Sequence, residues 1–179
     1  MFEKFGEFDS ASEINRKAEE LFNAGDFEGI RALAEENRIP SEYADAYCDG
    51  ELPELCDRLT AAIGKLELEE QEIVMVGVME DWLHYIEAQC GESDQIAIAV
   101  RRKGKNLKDC LGAILLWSLM NQKKVDKGVM ASTEKQIKGQ GISLQKYGIE
   151  PRYLQYTRIG IPNMATARQL IREYYLQEV

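Results

Sequence analysis

Side chains able to do covalent or proton chemistry are few in this chain. The single histidine, His84, lies in the stretch EDWLHYI, three residues after Asp81. A helix would put the two on one face. A catalytic pair also needs a thiol or hydroxyl brought close in space, and no local motif supplies one. A tucked or surface histidine is the expectation. Cys48, Cys56, Cys90 and Cys110 lack the CxxC spacing of a zinc knuckle and read as reduced thiols of a cytoplasmic chain. Asp45, Asp49 and Gly50 match the first, fifth and sixth positions of a calcium loop. Tyr47 and Cys56 then stand where the third and twelfth ligands must be, so that match fails. Gly139-Gln140-Gly141 follows a lysine but lacks the phosphate-loop pattern. The expectation is no enzyme, no metal and no cofactor.

Charge offers more. The chain has 179 residues, 31 Asp/Glu and 22 Lys/Arg, for a net charge of −9. Residues 1–90 hold 23 Asp/Glu against 7 Lys/Arg, and residues 91–179 hold 8 against 15. Asymmetry of this size points to a charged partner. Glu35, Glu36, Glu42, Asp45, Asp49, Glu51, Glu54 and Asp57 form a dense carboxylate band, suited to a basic groove in place of a nucleic-acid backbone. Arg101, Arg102, Lys103, Lys105 and Lys108, followed by Lys123, Lys124 and Lys127, form a basic run able to contact phosphates. Solvated faces that attract each other would explain the same pattern.

The elements that must position these groups read as helices throughout. Ser10 and Glu13 have capping-box spacing, and Ile14, Ala18, Leu21 and Phe22 then share a face. Asp26 caps a second helix burying Phe27, Ile30, Leu33 and Ala34, and a short third runs from Ser41 to Tyr47. The first two resemble one tetratricopeptide-type hairpin, with no further copy to make a solenoid. Pro53 opens a fourth helix in this reading, with Leu55, Leu59, Ala62, Ile63 and Leu66 inward. A longer helix spans Glu72–Cys90, with a strand as the alternative for its first part, IVMVGV, on propensity alone, and Asp94 caps a short one. Leu107–Asn121 is apolar nearly all round, which predicts the central axis of a bundle. Residues 126–137 form another helix, and Asn163 caps the last. The expected fold is all-α, a multi-helix bundle with an acidic helical module at 1–68, a second helical domain at 69–179 (a single domain over both being the alternative) and an irregular segment near 138–160. Its longest uncharged stretch, Cys110 to Gln122, is 13 residues, too short for the ~20 a membrane span needs. The N-terminal carboxylates do not fit a secretory signal, so a cytoplasmic location is expected.

Short motifs carry a family resemblance. Tyr85-Ile86-Glu87, then Asp94 with Ala97 and Ala99, then Lys105-Asn106-Leu107-Lys108-Asp109-Cys110, and finally Ile171-Arg172-Glu173-Tyr174-Tyr175 resemble the PcfK-like proteins of conjugative plasmids and phages. The acidic extension opening Phe2 to Ala11 is similar to that of the longer members. Those are grouped with type II-A anti-CRISPR inhibitors of the RNA-guided effector nuclease. Residues 128–156 have no counterpart there and read as an insertion. The resemblance implies a non-enzymatic inhibitor in a bacterial host cell, whose partner is the type II-A effector nuclease with or without its guide RNA. It would block guide loading or target DNA engagement, with the carboxylate band as contact. The alternative expectation is a nucleic-acid-binding accessory protein of a mobile element, working through the basic run.

Overall fold

The computed structural model describes residues 2–177. Nearly all regular structure is helical, with one two-stranded ribbon, as expected for an all-α bundle. The chain divides into two compact units: residues 2–114 together with 164–177, and Leu115–Asn163.

In the larger unit the N-terminal helices start where local chemistry places them. Helix α1 (Ala11–Asn23) is capped by Ser10, whose Oγ accepts the Glu13 amide at 3.2 Å. The Glu13 carboxylate reaches back to the Asp9 amide at 2.7 Å, a capping box extended by one residue. Asp26 caps α2 (Phe27–Glu36) by accepting the Gly29 amide at 2.8 Å. Helix α3 (Ser41–Cys48) follows. These three helices gather Ile14, Ala18, Ile30, Leu33, Ala34, Ala44 and Tyr47 into a first core, joined by Leu55, Cys56 and Ala61.

Helix α4 (Arg58–Glu70) begins later than expected, because Asp57, not Pro53, supplies the cap through the Thr60 amide at 2.7 Å. Leu55 is buried in the preceding turn, and Leu59 is exposed. Ala61 feeds the first core while Ala62 and Leu66 feed a second. The boundary expected at 68/69 therefore falls inside a helix that belongs to both cores, and the compact units divide elsewhere.

The second core is built by α4, α5 (Val78–Glu92), α6 (Asp94–Arg101), the first half of α7 (Leu107–Met120) and α9 (Met164–Leu176). Trp82, Leu83 and Ile86 of α5 meet Ile96 and Val100 of α6, Leu107, Leu111 and Ile114 of α7, and Ile171 and Tyr175 of α9. Two expectations fail here. The helix expected from Glu72 starts at Val78; before it, Ile73 and Met75 pack on the core while Val74 and Val76 face solvent. That alternation belongs to extended chain, and it ends at Gly77, whose φ of +54° suits glycine. Helix α7 is also not a central axis. Leu107, Cys110, Leu111 and Ile114 are buried, but Leu115, Leu116, Leu119 and Met120 are exposed.

The smaller unit contains the end of α7, strand β1 (Lys123–Lys124), α8 (Lys127–Gly139), two short 3-10 turns (Leu144–Tyr147 and Pro151–Tyr156) and strand β2 (Arg158–Ile159). Asp126 caps α8 through the Gly128 amide at 2.7 Å. The strands pair antiparallel, Lys123 opposite Ile159 and Lys124 opposite Arg158. Among the described residues of this unit only Ser118 and Pro162 are buried, so it has no apolar core of its own.

Close approach of α4 to the end of α2 needs a residue without a side chain. A Cβ on Gly64 would lie 2.1 Å from the Asn37 carbonyl oxygen. Gly64→Ala should therefore destabilise the chain by about 1–3 kcal/mol through overpacking, despite the helix-propensity gain of about 1 kcal/mol. Gly112→Ala, at a helical site where a Cβ meets nothing within 4 Å, should stabilise. Urea midpoints of the two variants check this, and equal shifts would contradict it.

Candidate functional site

The groups with catalytic potential stay apart. His84 and Asp81 are both exposed, and no hydrogen bond joins them among the described contacts. All four cysteines are free thiols. Cys56, Cys90 and Cys110 are buried; burial pushes Cys56 and Cys90 up to about 12 and Cys110 higher still. A thiol held protonated is a poor nucleophile. Among the described residues no group of three His, Cys, Asp or Glu could hold a metal ion.

The basic run separates into two kinds of cation. Arg101 is 1% exposed and Lys105 is 6% exposed. They belong to an internal network together with Lys65, itself 1% exposed. Lys65 Nζ donates to the carbonyl oxygens of Arg102 and Lys105, each at 2.7 Å. It also pairs with Glu7 at 2.9 Å and lies 3.7 Å from the Glu69 carboxylate. Glu69 in turn accepts the Leu107 amide at 2.7 Å, at the start of α7. Arg101 donates to Asn37 Oδ1 at 2.6 Å and stands over the Phe2 ring. Lys105 donates to the Tyr174 carbonyl at 2.8 Å, while the Asn106 amide donates to the Tyr174 hydroxyl at 3.0 Å.

The turn between α6 and α7 is thus held from beneath by Lys65 and from one end of α9 by Tyr174. Asp9 holds it from the N-terminal strap by accepting the Lys103 amide at 2.8 Å. Arg101 and Lys105 are withdrawn from the surface by burial, contrary to the expectation of phosphate contacts. Lys105 is bonded to Tyr174, while Arg101 bonds Asn37 through one nitrogen and leaves Nε and Nη1 without a hydrogen-bond partner among the described residues. Arg102, Lys103 and Lys108 remain exposed on this unit. Lys123, Lys124 and Lys127 are exposed too, but in the smaller unit. Beside the network lies a cavity of about 310 Å³ whose charged lining is Glu7, Glu69, Glu72 and Asp109 with Lys105 and Lys108. Its mixed signs select no ligand charge.

Lys65 was not among the sequence candidates, yet its position signals its role. It sits between Ala61, Ala62 and Leu66 on the apolar face of α4, with Glu69 four residues on. A lysine at a core-facing position is almost never left buried without partners.

The carboxylate band is thinned in the same way. Glu36 accepts the amides of Lys4 and Phe5 at 3.1 and 3.2 Å. Asp45 pairs with Arg31 at 2.9 Å, and Asp57 caps α4. These three are structural as well as acidic. Glu35, Glu42, Asp49, Glu51 and Glu54 are exposed and have no cationic partner among the described residues. Charge also differs in sign between the two units, though less sharply than between the sequence halves. Residues 115–163 carry 8 Lys/Arg against 3 Asp/Glu, a balance of +5, and the rest of the chain carries 14 against 28, a balance of −14.

Burial raises the Glu69 carboxyl above its ordinary value, and this outweighs the opposing effects of the Leu107 amide and Lys65. An acid raised in the folded state is most favourable to folding while protonated. Its contribution is present below the unfolded value and is lost as pH rises through the folded one. The stability margin of the wild type over Glu69→Gln should shrink as pH rises from about 4.5, the ordinary carboxyl value, toward neutrality. Urea unfolding of both proteins across that range measures it; a margin that widens would contradict the assignment.

Comparison of the chain with protein-family models, curated proteins and solved structures gives no match, so the functional reading rests on its own residues.

Proposed function

We propose that the chain is a non-enzymatic inhibitor of a type II-A RNA-guided effector nuclease, acting in a bacterial host through the acidic surface of its larger unit. One observation carries the reading. Glu42, Asp49, Glu51 and Glu54 fall within thirteen residues, on α3 and the turn that follows it, exposed and without cationic partners among the described residues. The PcfK-like resemblance of Tyr85–Glu87, Lys105–Cys110 and Ile171–Tyr175 points the same way.

The physics of the partner suits such a surface. An RNA-guided nuclease holds its heteroduplex and displaced strand in positively charged channels and reads the adjacent motif with arginines. A body with a charge balance of −14 outside residues 115–163 is steered toward such a channel. Complementary charge accelerates encounter and fixes register more than it adds raw affinity. Inhibition then follows from occupancy, with no bond made or broken. Carboxylates standing where phosphates belong exclude either the guide RNA or the target DNA.

The test is a cleavage assay with inhibitor added before or after guide loading. Replacing Glu42, Asp49, Glu51 and Glu54 together by lysine should abolish inhibition while the far-ultraviolet circular dichroism stays that of the wild type. Replacing them by glutamine should weaken inhibition and reduce its salt sensitivity. Full inhibition by the lysine variant would overturn the acidic-surface mechanism.

A further inference from the structure

We infer that the smaller unit, Leu115–Asn163, is a docking surface for a single-stranded nucleic acid. The inference concerns different residues from the acidic surface above and stands or falls separately from it.

Charge is the first ground. Lys123, Lys124, Lys127, Lys146 and Arg158 are all exposed, and none has an ion-pair partner among the described residues. The ribbon sharpens the point. Lys124 stands directly opposite Arg158 in the β1–β2 ladder, and the ladder continues with the Val125 amide donating to the Thr157 carbonyl at 3.1 Å. Directly opposed like charges disfavour a strand pair, and a two-stranded ribbon is marginal by itself. A phosphate bridging the two cations turns that repulsion into attraction.

Aromatic exposure is the second ground, and it selects the strand state of the ligand. Tyr147, Tyr153 and Tyr156 are 72%, 54% and 64% exposed, on the two short 3-10 turns that lead into β2. The Arg152 guanidinium lies 4.8 Å from the centre of the Tyr153 ring. Exposed rings set among cations are the recognition chemistry of unpaired bases, which stack on aromatic faces while the backbone follows the positive charge. A duplex offers phosphates but hides its base faces, so it would use the lysines and leave the tyrosines idle. With no core of its own to fill, this unit leaves Tyr147 and Tyr156 exposed, while one face of Tyr153 is covered by Arg152, itself paired with Glu150.

Fluorescence anisotropy of the full chain with labelled oligo(U) RNA, oligo(dT) DNA and a duplex of equal length tests this. Single strands should bind more tightly than the duplex, and the relative strength of the RNA and DNA arms identifies which strand the surface accepts. For four neutralised phosphates, affinity should fall about 50-fold between about 50 mM and about 200 mM salt. Joint replacement of Lys124 and Arg158 by alanine should flatten the log–log salt slope by about 1.4. Joint replacement of Tyr147, Tyr153 and Tyr156 by alanine should weaken binding at least about tenfold with the slope unchanged. Their replacement by phenylalanine, which keeps the rings, should preserve binding. No binding at the lower salt, a preference for duplex, or wild-type affinity in the triple alanine variant would overturn the inference. So would self-association through this unit in place of oligonucleotide binding.

Discussion

Three cations buried in or beside one turn constrain the larger unit. Lys65, Arg101 and Lys105 are nearly excluded from solvent, and an ion taken out of water carries a penalty of several kcal/mol after relaxation. The chain offsets part of that penalty with carbonyls and carboxylates drawn from several segments, although Arg101 Nε and Nη1 are left without a hydrogen-bond partner among the described residues. Glu7 comes from the N-terminal strap, Asn37 from the end of α2, Glu69 from α4 and the Tyr174 carbonyl from α9. Each of these segments must lie where it does for the charges to be met. Removing one partner leaves an unsatisfied group in a low-dielectric interior, where polar groups are costly to strand.

The same constraint decides which charges are available for function. Acidic residues near the network are drawn inward or used as caps, as Glu7, Glu36, Glu69 and Asp57 are. Those left free cluster on α3 and its following turn. Cations left free are enriched in the smaller unit, where few carboxylates compete for them. The two proposed recognition chemistries, one for a basic channel and one for a polyanion, draw on these two sets of free charges.

Part of the local chemistry was legible in the sequence, and long-range chemistry was not. Ser10 and Asp26 cap helices through bonds that span three residues, so their neighbours suffice to predict them, whereas the equally local Asp57 cap was hidden by Pro53. The fate of Arg101 depends on Asn37, sixty-four residues away, and nothing local separates it from the exposed Arg102. Helix α7 misled for a related reason. Its apolar residues continue to Met120, but the partners that bury Leu107–Ile114 stop there, and periodicity alone reports the pattern without reporting what covers it. Glu72–Gly77 misled in the opposite direction. Its run Ile73-Val74-Met75-Val76 is apolar throughout, so strand propensity was readable but the alternation of burial was not, and the strong helix that follows extended the expectation backward. Of the candidate site, the composition of both charged groups was readable; which members are spent on the fold required the contacts.

The buried cations act as ties and not as ligand contacts, and Lys65→Met tests that most directly. The substitution keeps the packing of the stem and removes the charge that joins Glu7, Arg102, Lys105 and Glu69. Equilibrium urea unfolding should show a loss of about 3–5 kcal/mol, the cost of breaking a buried charge network by removing one member. A loss below about 0.5 kcal/mol, the scale of an ordinary surface substitution, would contradict it.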